Sequence, residues 1–339
     1  MPSPLQVVNV DCNFTYDLEQ QRIQAAGAEL ILRTARTEDE IIASCANAAI
    51  ILLENADTPL TARVIDALPE CRAIIRYGVG VDSIDVPAAT RKGVIVANAA
   101  DFCTEEVSDH AVALLLASVK RIAYFDRRLR AGGWHDFTLA PPLRRVSSLT
   151  LGLIGWGRIA QAVARKMQGF RLRILTTDPY VSSLPDDCGV ELVTHDQLLR
   201  ESDLISLHLP LNAQTKHLIG EEAFQTMKST AFLINTSRGG VVDEAALVHA
   251  LEQNYIGGAA LDVMETEPLS AASPLRTIEQ VTLTPHYAAS SQESMEHLHA
   301  SVTASVEAII QGYWPPFPVN PAVQPSIPLR PWADFQQNP

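Results

Sequence analysis

Residues 151–160 read Leu-Gly-Leu-Ile-Gly-Trp-Gly-Arg-Ile-Ala, and no other stretch of the chain restricts its fold so tightly. An apolar run leads into Gly155 and Gly157, and a third small residue, Ala160, opens a helical pattern that reaches Gln168. The first glycine permits a tight turn out of a strand, the second lets a bulky anion approach the backbone, and the small third residue lets the helix sit close to the strand. The helix start offers N–H groups and the positive end of a dipole. A second apolar run, Leu172–Thr176, is followed by Asp178, placed about twenty residues beyond the glycines as the dinucleotide fingerprint requires. A carboxylate there accepts hydrogen bonds from ribose hydroxyls and repels a 2′-phosphate. The segment therefore predicts a dinucleotide-binding βαβ unit that favours NAD, with NADP left open by the neighbouring Thr176 and Thr177.

The same alternation of strand and helix runs through most of the chain, which predicts parallel α/β layers. Before the glycine loop the strand candidates are Leu5–Val10, Ala49–Leu53, Ala73–Arg76 and Val94–Ala97, with a helical pattern over Leu18–Gly27 that separates the first from a short run at Glu29–Leu32. From residue 150 they are Thr150–Ile154, Leu172–Thr176, Leu204–Leu207, Ala231–Asn235, Ala259–Leu261 and Val281–Leu283. A long helix over about 105–122 is apolar nearly all round, so it is expected to be buried between domains or subunits. It marks the first crossing between two domains, a division that 339 residues accommodate. Residues 131–145 read as a loop, residues 291–311 as a second long helix, and the Pro-rich tail from Trp314 as extended chain without a regular helix.

With 47% hydrophobic and 19% charged residues the chain can bury large cores. A net charge of −13 argues against a nucleic-acid partner. Cys12, Cys45, Cys71, Cys103 and Cys188 are scattered with no C-x-x-C pair, so free thiols are expected, with no metal and no disulfide framework. No apolar run is long enough to span a bilayer and no secretory pattern opens the chain, so the expected location is the cytoplasm, with no membrane partner.

Three polar residues follow strand candidates of the second series. Arg238 lies in Ile-Asn-Thr-Ser-Arg-Gly-Gly, Glu267 in Leu-Asp-Val-Met-Glu-Thr-Glu-Pro, and His286 in Leu-Thr-Pro-His-Tyr. A guanidinium binds a carboxylate through two bonds, and an imidazole exchanges protons near neutral pH, most effectively with a carboxylate behind it to orient the ring. Taken singly, each has a plainer reading: a helix-end cation, a solvated loop carboxylate (Glu265 equally), and a loop histidine.

Together with Arg76-Tyr-Gly-Val-Gly-Val-Asp82, the glycine loop with Asp178, and Leu207-His-Leu-Pro210, these segments resemble the D-isomer-specific 2-hydroxyacid dehydrogenases over nearly the whole chain. Ala140-Pro-Pro-Leu-Arg-Arg145 is similar to the branch that holds phosphoglycerate dehydrogenases and carboxyl-terminal-binding-protein corepressors. The resemblance implies two Rossmann-like parallel-sheet domains facing a cleft: a flavodoxin-like substrate domain over 1–101 plus 291–339, and an NAD-binding domain over 102–290. It implies hydride transfer between NAD(H) and a small 2-hydroxy or 2-oxo acid, with Arg238 on the substrate carboxylate and carbonyl, His286 as acid/base and Glu267 as its partner. Backbone N–H groups near Val79 and Gly80 would also hold the carboxylate, and Arg76 would add positive charge. Asp178 would hold the adenosine ribose. Leu209, Pro210, Thr236 and Asp262 would line the nicotinamide side, with further cofactor contacts at Gly155, Gly157, Arg158, Ile159, Thr215 and Ser237. A homodimer is implied, built on the nucleotide domain, and the short tail predicts no regulatory amino-acid-binding domain.

Two departures bear on the substrate. Ala160 replaces a commoner glycine, and Tyr287, where many relatives have a smaller residue, is expected to narrow the substrate pocket. Two other readings compete with the enzyme. One is an NAD-sensing corepressor-like binding protein. The other is a formate-type enzyme, which the carboxylate at Glu267 disfavours because such enzymes carry an amide there.

Overall fold

The computed structural model describes residues 4–134 and 143–336, and the chain divides into two compact units. One unit comprises Met1–Phe102 with Ser291–Pro339, the other Cys103–Ser290.

The first unit is built on β1 (Leu5–Asn9), β2 (Ala28–Leu32), β3 (Ala48–Leu53), β4 (Ala73–Arg76) and β5 (Ile95–Asn98). They form a wholly parallel sheet in the order β2-β1-β3-β4-β5. Every residue of β3 is buried, as a central strand covered on both faces must be. The connections carry α1 (Asp17–Ala25), α2 (Glu38–Ser44), α3 (Ala62–Asp66) and α4 (Val86–Lys92). Thr37 starts α2 with a capping box closed by Glu40, and Asp85 starts α4 by accepting the Ala88 N–H. Ile41, Val64, Ile65, Ala88 and Ala89 from these helices pack on Val8, Ile51, Leu53, Ile74 and Val96 of the sheet.

The second unit opens with α5 (Thr104–Lys120) and α6 (Ile122–Arg130) and continues through β6 (Thr150–Ile154), α7 (Arg158–Gln168), β7 (Arg173–Thr177) and β8 (Glu191–Leu192). It goes on with α8 (His195–Glu201), β9 (Leu204–Leu207), α9 (Glu221–Thr226), β10 (Phe232–Asn235), α10 (Glu244–Glu252), β11 (Gly258–Leu261) and β12 (Val281–Leu283). Its seven parallel strands run β12-β11-β10-β9-β6-β7-β8, so the strand order reverses between β6 and β9. The period of two along each strand divides the core. Leu151, Leu153, Ile234 and Ala260 face α5 and α7, while Ile154, Leu207, Leu233 and Leu261 face a cluster that contains the fully buried Phe224.

The chain then returns to the first unit with α11 (Gln292–Ile310), which packs on α1 and β4, and ends in α12 (Trp332–Gln336). Between these helices the tail pairs in part with β5, through an antiparallel bridge from Ala97 to Pro318 and a Val319 N–H to Val96 O bond of 2.7 Å.

Several details were not part of the sequence reading. The long helix stops at Lys120 because Arg121 takes a left-handed conformation (φ 54°), and α6 begins directly after it. Its buried face (Val107, Ala111, Leu114, Leu115, Val119) packs on α7, β10 and β11 of the second unit. The tail does form one helical turn, α12, beginning after Pro331, where a missing N–H costs nothing. The two-residue edge strand β8 has too little apolar periodicity to be read from sequence. Of the loop expected over 131–145, residues 135–142 lie outside the described residues, and with them 140–142 of the segment 140–145. Among the described residues no helix is long and apolar enough to cross a membrane, no group of side chains could hold a metal ion, and all five cysteines are free thiols.

Candidate active site

The strands of the second sheet end in step. Ile154 pairs with Thr177 and Leu207, Leu207 with Asn235, Asn235 with Leu261, and Leu261 with Leu283. The residues that leave these strands are therefore brought to one carboxyl edge, on both sides of the order reversal, where open α/β sheets bind ligands. They include Gly155, Asp178, His208, Thr236, Asp262 and Thr284.

On the β6–β7 side, Gly155 turns the chain out of β6 at φ +94°, and a Cβ there would stand 2.5 Å from the His208 carbonyl oxygen. Only glycine meets both demands. Gly157 precedes α7, has open space where a side chain would project, and leaves the helix without a side-chain cap. Arg158 is exposed and Ile159 half-buried against the core. The Asp178 carboxylate is oriented by the backbone N–H groups of Trp156 and Tyr180, each at 2.9 Å. Thr176 donates its hydroxyl to the Leu153 carbonyl within the sheet. An uncapped helix start, an open glycine and a fixed carboxylate at the next strand end are the donor and acceptor set that a dinucleotide needs.

Further along the edge, two polar atoms are buried without a protein partner: His208 Nε2 and Thr236 Oγ1. Burial pushes the His208 imidazole down to about 4, so the ring is neutral at working pH. Leu209 and Pro210 begin the loop after β9, and the Thr215 hydroxyl closes that loop by donating to the Pro210 carbonyl at 2.6 Å. The Ser237 hydroxyl donates to Asn235 Oδ1 at 2.8 Å, and Arg238 Nη1 donates to the Ser237 carbonyl at 2.7 Å.

His286 Nδ1 lies 2.7 Å from Glu267 Oε2, and Glu267 Oε1 accepts the Met264 N–H at 2.9 Å. Burial opposes ionisation of Glu267. The hydrogen bonds from His286 and Met264, with the charges of His286 and Arg238, outweigh it and hold the carboxyl below its usual range. His286 itself has a left-handed backbone (φ 55°), rare outside glycine, and Asp262 secures it. The Asp262 carbonyl accepts the His286 N–H at 2.7 Å. Its buried carboxylate accepts the N–H groups of Tyr287 and Ala288 and the Thr284 hydroxyl, with His110 Nε2 at 3.5 Å. Expected on the nicotinamide side, Asp262 thus has both oxygens engaged by the loop that carries His286. Sequence reasoning missed His110, Thr284 and the Met264 N–H, because backbone donors and cross-element partners leave no motif.

The first-unit candidates lie at the exit of β4. Arg76 is buried, its guanidinium directed onto the carbonyls of Leu53 and Tyr77. The turn holding Val79 and Gly80 is tied to β5, with Ala99 N–H to Gly78 O at 3.1 Å and Asn98 Nδ2 to Val79 O at 2.6 Å. Asn98 was also missed, being unremarkable at the end of a short strand.

Comparison with known proteins gives a consistent result. The family described as D-isomer specific 2-hydroxyacid dehydrogenase, NAD binding domain, matches residues 112–288, more than half of the chain. A glyoxylate reductase of Korarchaeum cryptofilum is 43% identical over 270 residues, 78% of this chain and 81% of that protein. A D-3-phosphoglycerate dehydrogenase of Mycobacterium leprae is 36% identical over 306 residues, 89% of this chain but 57% of that longer protein. The structure of an NADPH-dependent glyoxylate/hydroxypyruvate reductase from Sinorhizobium meliloti, in complex with NADP and malonate, superposes with a TM-score of 0.82 at 27% identity. It covers 97% of this chain and 99% of that one.

Proposed function

This chain belongs to the D-isomer-specific 2-hydroxyacid dehydrogenases, and on that premise we propose that it reduces a small 2-oxo acid with NADH, through Arg238, His286 and Glu267. The observation that carries this reading is the His286–Glu267 pair at the carboxyl edge of the second sheet, with the Arg238 charge acting on the same carboxylate. A bound nicotinamide supplies the hydride. Because Nδ1 is engaged by Glu267, Nε2 is the atom of His286 that passes a proton to the carbonyl oxygen. Glu267, held by the Met264 N–H, fixes the orientation of the imidazole. Arg238 binds the substrate carboxylate through its fork and stabilises the negative charge that grows on the carbonyl oxygen. The Val79 and Gly80 N–H groups would be further donors to the carboxylate, and Arg76 would add positive charge. Gly155, Gly157, Arg158 and Ile159, at the start of α7, would hold the pyrophosphate. Leu209, Pro210, Thr215, Thr236, Ser237 and Asp262 would border the nicotinamide.

Asp178 supports NAD over NADP, since a carboxylate at this strand end accepts bonds from ribose hydroxyls and repels a 2′-phosphate. Reduction takes a proton from the imidazole, and oxidation of the hydroxy acid returns one to it.

The test is NADH and NADPH oxidation across mono-, di- and phosphorylated 2-oxo acids, with wild type beside His286→Ala. Turnover of at least one acid, lost in the variant and faster with NADH, supports the reading. An enzyme inert to the whole panel, or a variant as active as wild type, removes it.

The protein acts as a homodimer through its nucleotide unit. Ile122, Phe125 and Leu129 are exposed at i, i+3 and i+7 on α6, an apolar stripe that a second copy would cover. Sedimentation of wild type against Ile122→Glu/Leu129→Glu checks this: a monomeric wild type contradicts it.

A further inference from the structure

Arg238 and Glu267 leave different strands, β10 and β11, so their spacing depends on how the two loops are held together. The loops meet at Gly239, whose absent Cβ would fall 1.8 Å from the Met264 carbonyl oxygen and 2.4 Å from the Glu265 nitrogen. Met264 is also the residue whose N–H holds Glu267. Contact this close keeps its register only if something clamps it, and the clamp is a second histidine–carboxylate pair outside the proposed chemistry. His217 Nε2 lies 2.6 Å from Glu265 Oε1. Glu265 Oε2 accepts the Glu244 N–H, and Glu244 Oε2 accepts the Glu265 N–H, each at 3.2 Å. The ring closes through the backbone, because the His217 N–H donates to the Gly240 carbonyl at 2.9 Å. His217 holds a left-handed conformation, φ 53°, at this junction. Since a carboxylate only accepts, Nε2 carries the hydrogen.

We infer that His217 and Glu265 are positioning residues that fix the Arg238 loop against the Glu267 turn, so that the carboxylate clamp and the acid/base pair converge on one substrate. This rests on the roles given to Arg238 and Glu267 above. Each partner is about a third exposed, His217 37% and Glu265 33%. A pair so open to water adds little to global stability, so its loss should register in kinetics rather than in melting. Small displacements matter there, since an error of about 1 Å in placing a reacting group can cost roughly a hundredfold in rate.

The experiment uses the full chain with the best 2-oxo acid of the panel, comparing wild type, His217→Ala, His217→Gln and His286→Ala. The expected result for His217→Ala is a fall in kcat/KM of roughly ten- to hundredfold, with KM for the oxo acid raised and kcat lowered. NADH affinity, read by fluorescence, stays within about twofold, as does the unfolding midpoint within a few degrees. His217→Gln, whose amide N–H reaches the same carboxylate, restores kcat/KM to within about threefold of wild type. The inference is overturned if His217→Ala keeps wild-type kcat/KM, or if its loss tracks a fall in the unfolding midpoint and Gln gives no rescue. A wild type that turns over 2-oxo acids, with His286→Ala dead and His217→Ala normal, defeats this inference alone. A wild type inert to every acid defeats the functional reading beneath it.

Discussion

The two parallel sheets finish differently at their carboxyl edges. At the first edge the carboxylates are consumed by their own surroundings. Buried Asp11 accepts bonds from the Glu54 and Asn55 N–H groups, the Asn55 amide, the Thr58 hydroxyl and Arg36. Glu54 is met by Asn9, Asn13 and Tyr16, and Glu19 by Tyr77 and His299. At the second edge the polar groups are presented instead. His208 Nε2 and Thr236 Oγ1 are buried without partners, α7 starts without a side-chain cap, and the His286–Glu267 pair is half-exposed. A satisfied network rigidifies a fold, whereas groups left open in a preorganised frame can receive a ligand. One architecture thus gives a closed edge over β1 and β3 and an open one over β6 to β12.

Substitutions should therefore affect chemistry at one edge and stability at the other. The largest effect is expected from His286→Ala, which should lower kcat for 2-oxo acid reduction by about 10²- to 10⁴-fold with unfolding nearly unchanged. Comparable losses of stability and turnover in that variant would erase the distinction. Asp11→Ala should do the opposite, costing about 3 kcal/mol in urea unfolding because it strands buried donors, while kcat moves little. Next comes Asp178→Ala, which would remove the charge-assisted bonds proposed to the ribose. NADH binding should weaken by roughly tenfold and discrimination against NADPH should shrink, both read from KM values. An unchanged cofactor preference would take Asp178 out of the selection.

The smallest effect concerns His208. Its folded-state value of about 4 lies below the ordinary 6.5, so the unfolded chain takes up the proton first. Its contribution to stability is complete above pH 6.5, declines as pH falls toward 4 and levels off below that. Urea midpoints across this window should slope less in His208→Gln than in wild type; parallel slopes would show that the ring titrates normally. Glu267 acts lower in the acid range. Its depressed folded value means its stabilisation is present above the ordinary carboxylate range and lost as pH falls through the depressed one.

Much of this was legible in the residues alone. The strand series, the turn at Gly155 and the position of Asp178 follow from local rules, since apolar periodicity and glycine sterics act over a few residues. The candidate trio Arg238, Glu267 and His286 was visible as residue types after strands. Other features needed coordinates. The helix α6, which begins directly after the left-handed Arg121, was not read from sequence. The apolar helix α5 found its partner inside its own unit, because apolarity specifies burial but not against what. The groups that engage the Asp262 oxygens come from residues 284–288, more than twenty positions away.

The sequence by itself determined the α/β class, the glycine turn with its acidic companion, and the identity of the polar groups at the strand ends, because these rest on short-range geometry and side-chain chemistry. Only the tertiary structure decided which polar groups are satisfied and which stay open, that Glu267 meets His286, and that His217 meets Glu265 across 48 residues. Those outcomes depend on strand order and register, through which residues distant in the chain come within hydrogen-bonding distance, and no local pattern encodes that distance.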